Sequence, residues 1–555
     1  MWEIANLCIR FKENGAERTV VNNLHFTIKP GAITALIGES GSGKTLTAFS
    51  FMRLLPQQAT VTGSISLQSN NPIPNLLTLE EKVIQSIRGN RIAMIFQEPM
   101  TALNPLMTCG KQVCEVLTTH CSLSFREASE KTIALFQEVD LPDPASLFKK
   151  YPHEISGGQK QRVMIAAAIA CEPDLLIADE PTTALDALVQ QHIVALIKRL
   201  QQKRGMSVLF ISHDLPLVQG IADDVLVMYQ GRLVEQGSAY SVLTNPQHAY
   251  TKALIACRPT PTSKGMPLPT MDDQSISFRT DTIGQPINMN EPETTPLLSV
   301  EALTVSYPAD EPGFFKKKKR KSAIHNINLE VQAGEIVGIV GESGCGKSTL
   351  AKTILGLIEP DSGTICLSGL TTTAKSRREV RTLQMVFQDP YGSLNPAIPI
   401  GAAIREPIRV HALTPASETV NRVVELLESV GLHDPDQSKY PHAFSGGQRQ
   451  RISIARALAL EPRLLVFDES VSALDPGIQA QILNLIIDLR QKHHFGAIFI
   501  THDLAVAHYI SDRLLVMQSG EIVEQGHPDE VLFRPKHPYT RQLAACLPHS
   551  FAERE

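Results

Sequence analysis

Residues 38–45 read Gly38-Glu39-Ser40-Gly41-Ser42-Gly43-Lys44-Thr45, and residues 341–348 read Gly341-Glu342-Ser343-Gly344-Cys345-Gly346-Lys347-Ser348. Both spell GxxxxGK[ST]. Each follows a short apolar run, Ile33-Thr34-Ala35-Leu36-Ile37 or Ile336-Val337-Gly338-Ile339-Val340, and each precedes helix-forming sequence, TLTAFSFMRLL or STLAKTILGLI. Strand, glycine loop and helix in that order is the context in which this pattern cradles phosphate. The glycines let backbone N–H groups turn toward phosphate oxygens, and the helix N-terminus adds a favourable dipole. Lys44 and Lys347 would then neutralise β- and γ-phosphate charge, and Thr45 and Ser348 would offer a hydroxyl to Mg²⁺. One match alone reads equally well as a glycine turn before a helix. Two in equivalent contexts do not.

Working outward from the loops, more of the chain turns out to be written twice. ISGGQKQR at 155–162 returns as FSGGQRQR at 444–451, LLIADE at 175–180 as LLVFDE at 464–469, and ISHD at 211–214 as ITHD at 500–503. Ser445 follows Ser156 by 289 positions (445 minus 156), and the same offset separates Glu469 from Glu180 and His502 from His213. The lysines are 303 apart (347 minus 44) and the glutamines Gln97 and Gln388 are 291 apart (388 minus 97). The first copy therefore carries extra residues near Asn70-Asn71-Pro72-Ile73-Pro74, a composition suited to a surface loop. Unrelated segments would not hold register through three motifs, so the chain is a duplication. Between the copies, residues 258–297 are rich in Pro, Thr and Asp without helical or strand periodicity, which predicts a flexible linker. The expected domains are 1–257 and 298–555, the second restarting as an alternating strand at LSVEALTVSY.

Each LL-φ-x-D-E segment predicts an apolar strand ending in two carboxylates. Asp179 and Asp468 would hold Mg²⁺, and Glu180 and Glu469 would act as general base on an attacking water. His213 and His502 end further apolar strands, where a parallel sheet would turn them toward a nucleotide and its γ-phosphate. Ser156-Gly157-Gly158-Gln159 and Ser445-Gly446-Gly447-Gln448 each precede a helix, making a second anion-binding end per copy. That surplus makes sense if one copy completes the site of the other.

Composition narrows the class. Of 555 residues, 43% are hydrophobic and 20% charged, enough to bury cores, so a mainly disordered chain is excluded. Lys+Arg 52 against Asp+Glu 57 gives −5, with no global pull toward nucleic acid. No apolar run reaches 18 residues and no secretion signal is visible, so a cytoplasmic, non-spanning chain is expected. The nine scattered cysteines include no CxxC pair and suit reduced thiols. Cys114, His120 and Cys121 lack a second close pair, so helix packing accounts for them better than a metal. The run KKKKRK at 316–321 reads as a solvated hairpin insertion in the second copy, with anionic lipid as a contact it could make.

On these motifs both halves resemble the ATP-binding-cassette domains of ABC transporters. The resemblance covers nearly everything outside the linker. It implies an α/β fold of two tandem P-loop NTPase domains, each with a RecA-like core, an antiparallel β subdomain and a helical subdomain. It implies an ATPase with ATP and Mg²⁺ as ligands, Gln97 and Gln388 as Q-loop residues that bind the metal, sense the attacking water and couple to a membrane partner, and Asp186 and Asp475 as D-loop aspartates. Phe11 and Tyr307 are then the aromatic stackers for adenine. Head-to-tail pairing within the chain would set one ATP between Lys44 and Ser445 and another between Lys347 and Ser156, both hydrolytic.

A narrower likeness lies in Gln97-Glu98-Pro99-Met100-Thr101-Ala102-Leu103-Asn104-Pro105 and Gln388-Asp389-Pro390-Tyr391-Gly392-Ser393-Leu394-Asn395-Pro396. It recurs in the tails Asn245-Pro246-Gln247-His248-Ala249-Tyr250-Thr251 and Arg534-Pro535-Lys536-His537-Pro538-Tyr539-Thr540-Arg541. These are similar to the oligopeptide, dipeptide and nickel import group, with Ala249 where the group's HPYT pattern has proline. The likeness implies peptide import, with nickel, glutathione or a peptide antibiotic as alternative cargo. It also implies two integral-membrane permease subunits, through them a solute-binding protein, and a peripheral position on the cytoplasmic side of the inner membrane. Only Cys257 and Cys546 follow the tails, so no iron–sulfur cluster is expected. An alternative class is tandem cassettes acting on ribosomes or nucleic acid, of which the soluble translation factors join their cassettes with a long, charged, helix-forming linker. The Pro/Thr-rich segment here speaks against that class.

Overall fold

The computed structural model describes residues 1–13, 16–183, 185–272, 275–277, 295–308, 320–368, 370–372, 381–415, 417–472 and 474–547. They divide into two compact units, Met1–Leu185 with Val189–Ile255, and Asp186–Leu188 with Ala256–Glu555.

In the first unit β1 (Trp2–Glu13), β2 (Ala16–Ile28) and β4 (Ala59–Leu67) form an antiparallel sheet in the order β2-β1-β4. Ile4 and Leu7 are both buried although three residues apart, because Asn6 takes a positive φ of 53° and shifts the register there. The second sheet holds β3 (Ile33–Ile37), β5 (Ile92–Ile95), β6 (Leu175–Asp179), β7 (Ser207–Ile211), β8 (Asp224–Tyr229) and β9 (Arg232–Ser238), ordered β5-β6-β7-β3-β8-β9. All its pairings are parallel except β8 with β9. β3, β6 and β7 are buried at every residue, as unbroken apolar runs should be when both faces of a parallel sheet are covered. Their carboxyl ends lie side by side, which gathers the motifs. The helices Cys109–His120, Phe125–Glu138 and Gly157–Ile169 pack on one another as a helical region.

Within the inserted stretch of the first half Asn70, Asn71 and Pro72 are exposed, but Ile73 returns to bridge Leu67 and is buried. Cys114 is buried in its helix, and Cys121 Sγ lies 3.5 Å from Cys171 Sγ. Among the described residues no group of three His, Cys, Asp or Glu side chains could hold a metal.

The second unit begins with the segment that sequence alone leaves as linker. Leu268 is buried in the unit's core, its N–H donates to Asn484 Oδ1 (2.9 Å), and Asn484 Nδ2 donates to Leu268 O (2.8 Å). The Tyr509 hydroxyl donates to Met266 O (3.0 Å), and Lys264 Nζ donates to Ser511 O (2.9 Å). Leu268, the Lys264 ammonium and backbone groups make this attachment, so no periodicity announces it. β10 (Thr270–Asp272) and β11 (Ser275–Ser277) form a small hairpin beyond it. Residues 278–294 of the expected linker lie outside the described ones.

β12 (Leu298–Pro308), β13 (Arg320–Val331), β15 (Ser362–Leu367) and β16 (Leu370–Thr372) form a sheet in the order β13-β12-β15-β16. Pro308 faces Arg320 across the β12–β13 pair, and Arg320 meets Asp361 at 2.8 Å; Lys316 to Lys319 of the basic run lie outside the described residues. β14 (Ile336–Gly341), β17 (Leu383–Val386), β18 (Leu464–Asp468), β19 (Gly496–Ile500), β20 (Arg513–Gln518) and β21 (Glu521–Gly526) repeat the first unit's large sheet as β17-β18-β19-β14-β20-β21. Among the described residues no helix is long and apolar enough to cross a membrane.

Candidate active sites

In the first unit the loop 38–45 leaves the end of β3 and runs into the helix Lys44–Met52. Gly43 has φ +102°, and a Cβ there would meet Val21 Cγ2 at 2.8 Å, so glycine is required by both conformation and space. Lys44 is 6% exposed, and its ammonium donates to Gly38 O (2.7 Å) and Glu39 O (2.8 Å). Thr45 Oγ1 donates to Asp179 Oδ1 at 3.3 Å.

The neighbouring Glu180 has φ +46°, a conformation that costs a non-glycine residue about 1–3 kcal/mol and clusters at functional sites. Its N–H still donates to Ile211 O (2.9 Å), so the ladder of β6 with β7 holds through the turn that projects the carboxylate. That carboxylate accepts from Gln97 Nε2 (3.0 Å) and Thr183 Oγ1 (2.9 Å), and His213 Nδ1 lies 3.3 Å from Oε1. Burial opposes its ionisation, but His213, Thr183 and Lys44 outweigh it and hold the carboxyl below its usual range. Burial, with Glu180 next to it, pushes the Asp179 carboxyl the other way, up to about 6.

The second unit has the same plan. Lys347, 5% exposed, donates to Gly341 O (2.7 Å) and Glu342 O (2.8 Å), and Ser348 Oγ donates to Asp468 Oδ1 (3.2 Å). Glu469, φ +47°, accepts from Gln388 Nε2 (2.8 Å). His502 Nδ1 stands 3.8 Å from Glu469 Oε2, an ion-pair distance rather than a hydrogen bond. His502 outweighs burial in keeping the Glu469 carboxyl low; burial opposes protonation of His502, but Glu469 overrides it and raises that pKa. Burial raises Asp468. Thr183 and Ser472 are equivalent positions, yet Thr183 bonds the Glu180 side chain whereas Ser472 Oγ bonds the Glu469 backbone O at 2.8 Å.

A hydroxyl against a buried carboxylate, with a second carboxylate beside it, is an all-oxygen set for a hard divalent cation, which would relieve the like charge that raises Asp179. The residues therefore fit Mg²⁺: Thr45 and Asp179 in one unit, Ser348 and Asp468 in the other.

Other sequence-predicted residues lie further out. Ser156 and Ser445 are N-caps of the helices Gly157–Ile169 and Gly446–Leu458, each closing a capping box with Gln159 or Gln448. Asp475 is the N-cap of Pro476–His493, and Asp186 directly precedes Ala187–Arg204. Phe11 packs half-buried against the first unit's core, while Tyr307 is 42% exposed with its hydroxyl 3.4 Å from Thr349 Oγ1. Sequence reasoning missed Tyr250 and Tyr539, whose hydroxyls accept from the loop amides Glu39 N–H (3.0 Å) and Glu342 N–H (2.9 Å). The signal was present as a tyrosine in both tails at the common 289 offset (539 minus 250).

Two phosphate loops, each with a carboxylate pair and a histidine at the ends of one parallel sheet, define a tandem nucleotide triphosphatase. Known proteins narrow that class. Residues 21–183 and 324–472 match the family described as ABC transporter, and residues 234–284 and 523–555 match the oligopeptide/dipeptide transporter C-terminal region. The chain is 40% identical over 557 aligned residues to the glutathione import ATP-binding protein GsiA of Pectobacterium atrosepticum, covering 98% of this chain and 89% of that one. To its counterpart in Escherichia coli K12 the identity is 41% with the same coverage. Among solved structures, cbiO1 from Clostridium perfringens, part of the ABC transporter complex cbiONQ, is 29% identical over 42% of this chain and 90% of that one, with a TM-score of 0.38. The chain belongs to the ABC transporter family, with an oligopeptide/dipeptide-transporter tail in each half. It is an ATP-binding, ATP-hydrolysing subunit that works with membrane permease partners.

Proposed function

We propose that this chain is the fused energy-coupling ATPase of an importer for short peptides, glutathione foremost, bound at the cytoplasmic face of the inner membrane. The observation that carries the cargo is the 40–41% identity, along 98% of the chain, to glutathione import ATP-binding proteins. Residues 1–257 and 298–555 form its two cassettes, joined by 258–297. Its partners are two permease subunits and, through them, a solute-binding protein.

In each cassette the loop N–H groups and Lys44 or Lys347 hold the β- and γ-phosphates of ATP. Glu180 and Glu469, kept ionised by their neighbours, take the proton of the attacking water. Gln97 with His213, and Gln388 with His502, orient that water and the γ-phosphate. Thr45, Asp179 and Gln97 in one cassette, and Ser348, Asp468 and Gln388 in the other, would hold Mg²⁺, which would supply charge neutralisation on the phosphates. Phe11 and Tyr307 stack on adenine.

The cassettes pair head to tail, Ser445 completing the Lys44 site and Ser156 the Lys347 site. In favour of this, the capping boxes satisfy the N–H groups of Ser156, Gln159, Ser445 and Gln448. The glycine N–H groups between them are left as orphan helix donors suited to an anion. Closure on ATP and reopening after hydrolysis drive the permeases.

Uptake of labelled glutathione and of a labelled dipeptide, in cells lacking this chain and every redundant peptide importer, tests the reading. Wild type should restore uptake, and the Glu180→Gln, Glu469→Gln double variant should not. Restoration by the double variant would sink the energy-coupling role, and uptake indifferent to the chain would sink the cargo.

A further inference from the structure

The tail motif that marks the subtype also touches the chemistry. Glu235 of β9 accepts from the N–H groups of Gln247 (2.8 Å) and His248 (3.1 Å), and His248 Nδ1 accepts from Tyr250 N–H (3.2 Å). The second half repeats this: Glu524 accepts from Lys536 N–H (2.9 Å) and His537 N–H (3.0 Å), and His537 Nδ1 accepts from Tyr539 N–H (3.3 Å). The main sheet thus fixes the start of each tail helix, Ala249–Ala256 and Pro538–Ala544. Ala249 in place of Pro538 changes nothing here, because the first helical position needs no amide donor.

From that base the tyrosine hydroxyl reaches one particular peptide. The Gly38–Glu39 peptide gives its C=O to Lys44 Nζ (2.7 Å) and its N–H to Tyr250 Oη (3.0 Å). The Gly341–Glu342 peptide does the same with Lys347 Nζ (2.7 Å) and Tyr539 Oη (2.9 Å). A trans peptide is planar with its N–H and C=O opposed, so holding both ends fixes its tilt and with it the loop's entry and the lysine's anchor. The two halves also separate the hydroxyl from the ring. Tyr250 packs on Tyr229 with ring centroids 4.2 Å apart, but the position equivalent to Tyr229 is Gln518 (229 plus 289). The aromatic pair is lost in the second half and the hydrogen bond is kept.

We propose that Tyr250 and Tyr539 are positioning residues of the two ATP sites, their hydroxyls clamping the first peptide of each phosphate loop against the loop lysine. The inference rests on the ATP-site reading above. Its test is the Tyr250→Phe, Tyr539→Phe double variant in the full chain, assayed for ATP hydrolysis and for equilibrium binding of Mg-ATP, with hydrogen exchange of the peptide spanning residues 36–46. Losing one hydrogen bond predicts a rise in KM and Kd for ATP of about threefold to tenfold. The effect is on binding, so kcat should stay within about twofold, and loop exchange should quicken without ATP. A melting temperature that falls while KM and Kd hold would make the tyrosines structural only and overturn the proposal, as would a fall in kcat at constant KM. Each single variant differs from wild type by one oxygen and reads out its own half if the double variant does not fold. Saturable wild-type hydrolysis with unmoved variants refutes this proposal alone; a wild-type chain that does not bind ATP refutes the site reading and the proposal with it.

Discussion

Replacing Asn484 by alanine should loosen the segment around Leu268 without dismantling the second unit. Asn484 is 6% exposed and makes two neutral hydrogen bonds to the backbone of Leu268, itself 1% exposed. At about 0.5–1.5 kcal/mol each, their loss amounts to roughly 2 kcal/mol, or about a 30-fold rise in the opened population. The Leu268 side chain, whose burial is worth about 1.5–3 kcal/mol, still holds the segment down, so opening stays local. Limited trypsin digestion measures it directly. Arg258 is followed by Pro259 and resists trypsin, whereas Lys264 is followed by Gly265. The rate at which Gly265 appears as a new N-terminus, read by mass spectrometry, follows the opened population when reclosing outpaces cleavage. Asn484→Ala should raise that rate by an order of magnitude or more, and Leu268→Ala comparably. A rate within about twofold of wild type for both variants would refute the claim that these contacts fasten the segment.

Three further outcomes follow from the site and its scaffold. The Glu180→Gln, Glu469→Gln double variant should lose about 10²–10⁴ in kcat for ATP while still binding it, and a loss below tenfold removes these residues as general bases. Gly43→Ala sets a Cβ against Val21 at φ +102°, so nucleotide binding to the first loop should weaken severalfold in a filter-binding assay, and unchanged affinity would show that the loop tolerates the strain. Glu138 contacts Arg204 (2.7 Å) and Lys203 (2.9 Å); burial opposes its ionisation, but these cations overcome it and hold its pKa below 4.5. Its stabilisation is therefore complete above the unfolded value and disappears as pH falls through the lower folded one. The melting-temperature gap between wild type and Glu138→Gln should hold from neutral pH down to about 4.5 and close below it.

The loops, the carboxylate pairs and the order of strands around them were legible because they are local. Apolar runs of five residues become buried strands, and glycines before a lysine become a loop at a strand's end. From Ser156 onward the 289 offset then carried each assignment from one half to the other, while the loops and glutamines matched at 303 and 291. What stayed hidden depends on backbone partners far along the chain. Tyr250 finds Glu39 across 211 positions and Leu268 finds Asn484 across 216, and neither leaves a periodic trace. Thr183 and Ser472 look interchangeable in sequence, but their hydroxyls take different acceptors on the two glutamates. Leu298, Val300 and Leu303 read as a strand, yet the positive φ of Ala302 (48°), which turns Val300 and Leu303 both inward, is a backbone fact that alternation alone would deny.

The attachment at Leu268 gives the chain a polarity that the duplication lacks. The positions equivalent to Asn484 and Tyr509 are Ala195 and Gly220 (each minus 289), and neither side chain can supply the amide or the phenol. In a gene rearranged so that the second half is translated first, the connecting segment would lead into the first half, whose equivalent positions carry no such seat. The halves are thus no longer interchangeable parts of one repeat. One has become the host for the tether, through side chains that the other does not carry at the equivalent positions.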